Sequence, residues 1–309
     1  MQLILVFLGA ILGLAYGNYY QGFVFSSDIC LFAGLTMIMP TLFKVKLSDI
    51  KLVFEHRILM LKGLFVNYLI LPIIALIIGL FTGDFGIAAG LFLLSVLSGG
   101  GMVMHWIKKS NADTSLGFIL LFLNLVFVSL SLLMLHTFGE YSAPYFDTEY
   151  SQDINVESFA QGVIELLIII PFILSRVIIF IEPVKNFIID KQPYISKISL
   201  FVIIFYLFGL QNSQLLFELY DFEQELFPIS IIAVLAFYFI IYFLARVVYN
   251  LESPFERAAF WQTITRYVTL ALVVSTFSIN TFGISMILPI MFAYVIQIPF
   301  AIVISKYKY

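Results

Sequence analysis

The sequence predicts an all-α polytopic membrane protein of ten transmembrane helices. Three observations predict it: a composition that suits lipid better than water, ten apolar runs of bilayer-crossing length, and basic residues confined to one side of those runs. Of 309 residues 62% are hydrophobic and 11% charged, with 34 Phe and 17 Tyr, and the mean hydropathy is +1.05. A soluble domain carries about 25% charged residues to clothe its surface, so the lipid bilayer is the expected partner of most of this one. The net charge of −3 and the lack of a basic patch leave nothing to hold a phosphate backbone, and no nucleic-acid partner is expected. Cys30 is the only cysteine and forms no internal disulfide.

A helix needs roughly 20 mostly apolar residues to cross a bilayer. In chain order such runs cover 2–22, 28–43, 58–81, 85–107, 114–138, 159–181, 195–217, 227–248, 258–279 and 282–305. Helices are the expected spanning elements, since the runs lack barrel-like alternation and unpaired backbone is costly in lipid. Gly83-Asp84 and Asn280-Thr281 are short polar turns between runs. The second run is short, and the seventh trails into Gln211, Asn212 and Gln214. Pro40, Pro171, Pro228 and Pro289 are read as shaping helix ends and kinks. Residues 1–17 could also form a cleaved leader, with Ala15 and Gly17 before the cut; no basic stretch precedes them and the run feeds into 19–25, so they are read as the first span.

Charge placement sets the orientation. All sixteen Lys and Arg residues lie in or nearest the loops after spans two, four, six and eight, or in the C-terminal tail. Basic loops favour the cytoplasm, which places both termini there. The other face collects Asp84, Glu140, Asp147, Glu149, Asp153, Glu157, Asp221, Glu223 and Glu225. Low Arg and Ala with high Ile and Phe suggests a bacterial chain, hence a multi-pass protein of the cell (inner) membrane. Nothing in the sequence sets the oligomeric state.

The polar stretch 140–157 divides the chain into a first five-helix repeat, 1–139, an extracytoplasmic acidic loop, 140–158, and a second repeat, 159–309. Five is odd, so the second half enters the membrane from the opposite side, the geometry of an inverted repeat. The fourth span is interrupted by Ser98-Gly99-Gly100-Gly101, and the ninth by a polar patch holding Gln262, Thr263, Thr265, Arg266 and Tyr267. Breaks at matching positions point to a transport site, where freed carbonyls hold cations and helix N-termini hold anions. For the glycines alone, tight packing of small residues is an equal reading; the matching polar patch favours a site.

Arg266 lies about eight residues into its span, roughly 12 Å along the axis. An ionisable group that deep faces a cavity or a partner, whereas Arg246 and Arg257 sit where they can snorkel. Asn67, five residues before Pro72, and Asn124 in the fifth span are further candidate substrate contacts. Glu165 in the outer part of the sixth span is a candidate titrating group or a solvated one. His56, His105 and His136 show no metal-ligand spacing, so no metal site is expected. The chain has no H-E-x-x-H, nucleotide loop or G-x-S-x-G, hence no catalytic residues are expected and it is not read as an enzyme.

Asn67-Tyr68-Leu69-Ile70-Leu71-Pro72 resembles the amide-x4-Pro motif in the third span of the bile acid/sodium symporter family. Ser98-Gly99-Gly100 resembles the Pro-Gly-Gly of that family's broken fourth span, followed by a similar stretch through Lys109-Ser110-Asn111-Ala112-Asp113. The segment 257–272 is similar in layout to its broken ninth span. The resemblance implies a panel domain, a core domain whose broken helices cross near the membrane centre, and carriage of organic anions coupled to sodium (Na+). Its sodium ligands would fall on Val103, Met104, Gln262, Arg266, Tyr267, Gly117 and Leu121. These offer no carboxylate, and hard cations want oxygens and negative charge. Sodium coupling is therefore not expected, nor a cofactor, and Arg266 is read as a tethered cation that keeps the site positive for an anion. The arsenite-efflux branch of the superfamily resembles the chain less, since its functional cysteine lies in the fourth span and Cys30 lies in the second. Two functions remain: a secondary active transporter of a small organic anion, or a transporter-like membrane sensor or regulatory subunit.

Overall fold

The computed structural model describes residues 2–24, 26, 28–33, 35–36, 39–43, 51–100, 102–150, 165–210 and 225–306. Among them the regular elements are all helical, and two isolated bridges, Phe23 with Leu210 and Ser98 with Arg266, are the extended pairings. The chain forms two compact units: Met1–Lys44 with Gln161–Gln224, and Val45–Ala160 with Glu225–Tyr309. Each unit takes a piece of each half of the sequence.

The first unit is built on the Gln2–Tyr20 helix lying along the Glu182–Phe208 helix. Gly9 and Gly13, four apart on one face, allow close approach. A Cβ on Gly9 would stand 3.2 Å from the Phe201 carbonyl oxygen, and one on Gly13 would strike that of Phe205. Small residues at this spacing let helices pack where no hydrophobic effect drives them together. The two helices end together: Phe23 N–H donates to the Gly209 carbonyl at 2.8 Å. There Phe23 stacks on Tyr16 and Tyr206, and the Tyr206 hydroxyl donates to the Val24 carbonyl at 2.9 Å.

This unit corrects one expectation. Residues 182–194 were expected as a cytoplasmic loop before a span at 195–217; they are the first turns of one 27-residue helix that ends at Phe208. Glycine is absent from 182–208. Pro183 falls in the first turn, where its missing N–H costs nothing, and Pro193 is carried inside the helix. The chain leaves the helix at Gly209. Gln211, Asn212 and Gln214 lie outside the described residues, as do 159–164 of the sixth span.

In the second unit, Arg57–Thr82, Leu226–Val248 and Ile284–Ile304 are each long and apolar enough to cross a membrane. Thr114–Val126 and Val128–Phe146, bent by 47°, make a fourth crossing if they form one span. These several apolar helices fit a membrane protein. Arg57–Thr82 contains a widened turn, Val66–Ile70; Pro72 cannot donate to the carbonyl four residues back, and the extra residue per turn absorbs that loss. Asp84 caps the next helix by accepting from Ile87 N–H at 2.7 Å, and it accepts from the Ser285 hydroxyl at 2.7 Å. That next helix, Phe85–Val96, is buried at every position, as an all-round apolar helix must be, and it forms the centre of the unit.

Replacing Gly13 by Val is expected to destabilise the protein by about 1–3 kcal/mol through overpacking. Replacing the exposed Ile11 by Val is expected to change stability by less than about 0.5 kcal/mol. Thermal unfolding in detergent measures both.

Candidate functional site

Two helices of the second unit are interrupted, and the interruptions meet. Phe85–Val96 gives way to Val103–Lys109, and Pro254–Ile264 gives way to Val268–Phe282. At the first break Gly99 and Gly100 have φ of 78° and 134°, a region that side chains rarely adopt. At the second, Thr265 is extended, with φ −96° and ψ 137°. The two stretches run antiparallel through the Ser98–Arg266 bridge. Tyr267 N–H donates to the Leu97 carbonyl at 2.9 Å, and Gly99 N–H donates to the carbonyls of Thr265 and Gln262 at 2.8 and 3.1 Å. Each break thus satisfies backbone groups the other has freed, as broken helices in a membrane require. Gly99 is needed twice over, because a Cβ there would also strike Oε1 of Gln262.

The side chain of Arg266 is packed into this crossing and only 1% of the residue is exposed. Its Nη1 donates to Asn67 Oδ1 at 2.9 Å and to the Ser95 carbonyl at 3.0 Å, and its Nη2 donates to the Thr263 carbonyl. Ser95 and Thr263 close the first halves of the two broken helices, where the backbone dipoles leave partial negative charge. All three acceptors are neutral oxygens. Asn67 is oriented by its own amide, which donates to the Gly63 carbonyl at 2.8 Å and leaves Oδ1 for the guanidinium.

The backbone of Arg266 is held from another helix. Gln297 Oε1 accepts from Arg266 N–H at 2.6 Å, and Gln297 Nε2 donates to the Arg266 carbonyl at 3.3 Å. Tyr238 donates to the same Oε1 at 2.8 Å. One amide therefore serves both groups of the interrupted backbone, with a phenol fixing its orientation. The sequence reading missed Gln297 and Tyr238; the signal for Gln297 was a lone amide in the apolar run 282–305.

Gln262 makes a second junction. Its Nε2 donates to the Gly117 carbonyl at 2.9 Å, and its Oε1 accepts from Asn124 Nδ2 at 3.2 Å. Val103 and Met104 are buried, and the space beside Gly117 is taken by methyl groups of Ile107 and Met104, 2.7 and 3.4 Å from where a Cβ would stand. Thr263 shares a hydrogen bond with Tyr249 at 3.0 Å, and Thr265 donates to the Trp261 carbonyl at 2.6 Å. A cavity of about 40 Å³ lies against Asn67, Asn124, Gln262 and Thr263. It has room for water and is too small for an organic solute.

Ten of the eleven candidate residues thus share one neighbourhood: Asn67, Ser98, Gly99, Gly100, Asn124, Gln262, Thr263, Thr265, Arg266 and Tyr267. Gly101 lies outside the described residues. Glu165 belongs to the first unit. Among the described residues no three His, Cys, Asp or Glu side chains are grouped to hold a metal.

Against known proteins, the model of the Sodium Bile acid symporter family matches residues 29–219, well over half of the 309. The matched stretch contains Asn67, Ser98–Gly100 and Asn124, and it ends before the segment with Gln262 and Arg266. No curated protein matches the chain.

Replacing Gln262 by Glu removes the donor to Gly117, and an unpaired buried acceptor costs about 1–3 kcal/mol. The loss is expected to shrink at acid pH, where the protonated carboxyl regains a donor; unfolding midpoints across pH check it. Replacing Gly99 by Ala is expected to cost at least about 1–2 kcal/mol from its left-handed backbone alone, read in the same assay.

Proposed function

We propose, from the premise that this chain belongs to the sodium bile acid symporter family, that it is a secondary active transporter of a small organic anion working by alternating access without sodium coupling. In this reading ten spans form two inverted five-helix repeats in the cell (inner) membrane, with both termini in the cytoplasm. The first compact unit is the panel and the second the core. The family's members are transporters, which fits the absence of any catalytic motif.

The observation that carries the sodium-free reading is the set of bonds made by the Arg266 guanidinium. Helix-end carbonyls and a side-chain oxygen are what a monovalent cation would be given at a pair of broken helices, and here they are bonded to a cation that belongs to the chain. The positions where the resemblance puts further cation ligands support the same reading. Gln262 is neutral and already bonded at both ends of its amide, and Val103 and Met104 carry no side-chain oxygen. The anion is supported by the start of the Val268–Phe282 helix, where Tyr267 gives no side-chain cap. The first-turn N–H groups, which a helix cannot bond to its own carbonyls, and the positive dipole end favour negative charge there.

Uptake of a panel of organic anions by proteoliposomes, with sodium, potassium or choline outside, tests this. Uptake is expected to be indifferent to sodium and to fall sharply in Arg266→Gln, which leaves helix-end carbonyls unbonded. Sodium-driven uptake that survives Arg266→Gln contradicts it, and saturable binding without uptake favours the sensor.

A further inference from the structure

The long helix of the first unit carries more apolar surface than its packing uses. From Glu182 to Ile198 no residue is buried; the first is Ser199. Val184, Phe187, Lys191, Tyr194 and Ile198 follow one another at alternating steps of three and four, so they form one stripe. Phe187, Tyr194 and Ile198 are 62%, 65% and 63% exposed, and Phe180 just before the helix is 86% exposed. Glu182 and Asn186 lie on the opposite face.

The position of this stripe follows from lengths. The Glu182–Phe208 helix has 27 residues and its partner Gln2–Tyr20 has 19, roughly 40 and 28 Å. In their register Gly9 faces Phe201 and Ile204 and Gly13 faces Phe205 and Phe208, so Gln2 stands level with about residue 195. Residues 182–194 of the longer helix, roughly 20 Å, therefore run past the start of the shorter one. A bilayer is about 30 Å of hydrocarbon and 40–45 Å with its headgroups, about 5–8 Å of headgroup on each side, so the excess begins at one edge of the hydrocarbon and crosses that headgroup layer. Basic-residue placement makes that layer the cytoplasmic one.

We infer that the first four turns of this helix are an interfacial anchor. The stripe seats at the boundary between acyl chains and headgroups, and Lys185, Lys191 and Lys197 meet anionic phospholipid headgroups. The stripe is continuous with the lipid-facing side of the same helix, where Val202 is also exposed. Lys197 folds over the Tyr194 ring at 5.8 Å, as a lysine does when its stem covers apolar surface and its charge reaches outward. Lys191 chooses between lipid and a second copy as the occupant. Pairing two stripes would press two Lys191 ammonium groups together, whereas at headgroup level the same charge meets phosphate. The inference rests on the membrane reading and on the orientation set by charge, and not on transport.

The test uses the full chain in vesicles, in a Cys30→Ser background, with an environment-sensitive fluorophore at F187C or V184C on the stripe and at N186C or E182C opposite. Labels on the stripe are expected to be quenched by lipid nitroxides near the headgroup and shielded from iodide; labels opposite are expected to show the reverse. Equal iodide access at F187C and N186C overturns the anchor. A disulfide-linked dimer at F187C with both quenchers excluded assigns the stripe to a second copy and also overturns it. At F187C, quenching by nitroxide-labelled phosphatidylglycerol is expected to exceed that by phosphatidylcholine. The preference is expected to fall roughly fivefold for each of Lys185, Lys191 and Lys197 changed to Gln. An unchanged preference in the triple variant overturns the role of the lysines.

Discussion

A guanidinium buried away from water must be given acceptors, because an unsolvated charge costs several kcal/mol. Arg266 finds them only because two helices stop short in the same place. Ser95 and Thr263 can accept from its nitrogens because the helices they close do not continue, and Asn67 adds a third oxygen from a widened turn. The dependence runs the other way as well. Carbonyls left open at a helix end inside a membrane need a partner as badly as the charge does. Removing either side strands the other, so the breaks and the arginine form one structural element.

The rest of the second unit fits around that element. Gly99 lets the two chains cross, the amide of Gln297 serves both backbone groups of Arg266, and Tyr238 holds the amide in place. Gln262 ties the same crossing to the Thr114–Val126 helix through Gly117 and Asn124. A carboxylate at 262 could accept from Asn124 but could not donate to Gly117, so this junction is built for a neutral residue. The volume beside Gly117 is filled with Ile107 and Met104. A scaffold of the sodium bile acid symporter family thereby holds its crossing together with bonds and methyl groups internal to the chain.

Much of this was legible in the sequence. Three glycines in mid-span and an arginine eight residues deep announce both breaks, because glycine and charge are expensive there and need a reason. The acceptors of Arg266 were less legible. Two of the three are backbone carbonyls, which carry no residue signature, and Gln297, which holds the Arg266 backbone, is a lone amide in an otherwise apolar span. The seventh span was misplaced for a local reason: Pro193, Asp190 and Lys191 look like a loop, yet without glycine the helix runs through them to Phe208. The two compact units were not legible from residues 1–44 and 161–224 alone, since their pairing is long-range. Its one local trace, Gly9 and Gly13 on a common face, passed as ordinary span residues.

The central claim is that the cation at the helix crossing belongs to the protein. Thermal unfolding of the purified chain, titrated with sodium chloride against choline chloride at matched ionic strength, tests it most directly. A ligand that binds the native state alone raises stability as its concentration passes the dissociation constant. With the acceptors taken by Arg266, the midpoint is expected to follow the same curve in both salts. A saturable, sodium-specific rise in the wild-type midpoint would contradict the claim.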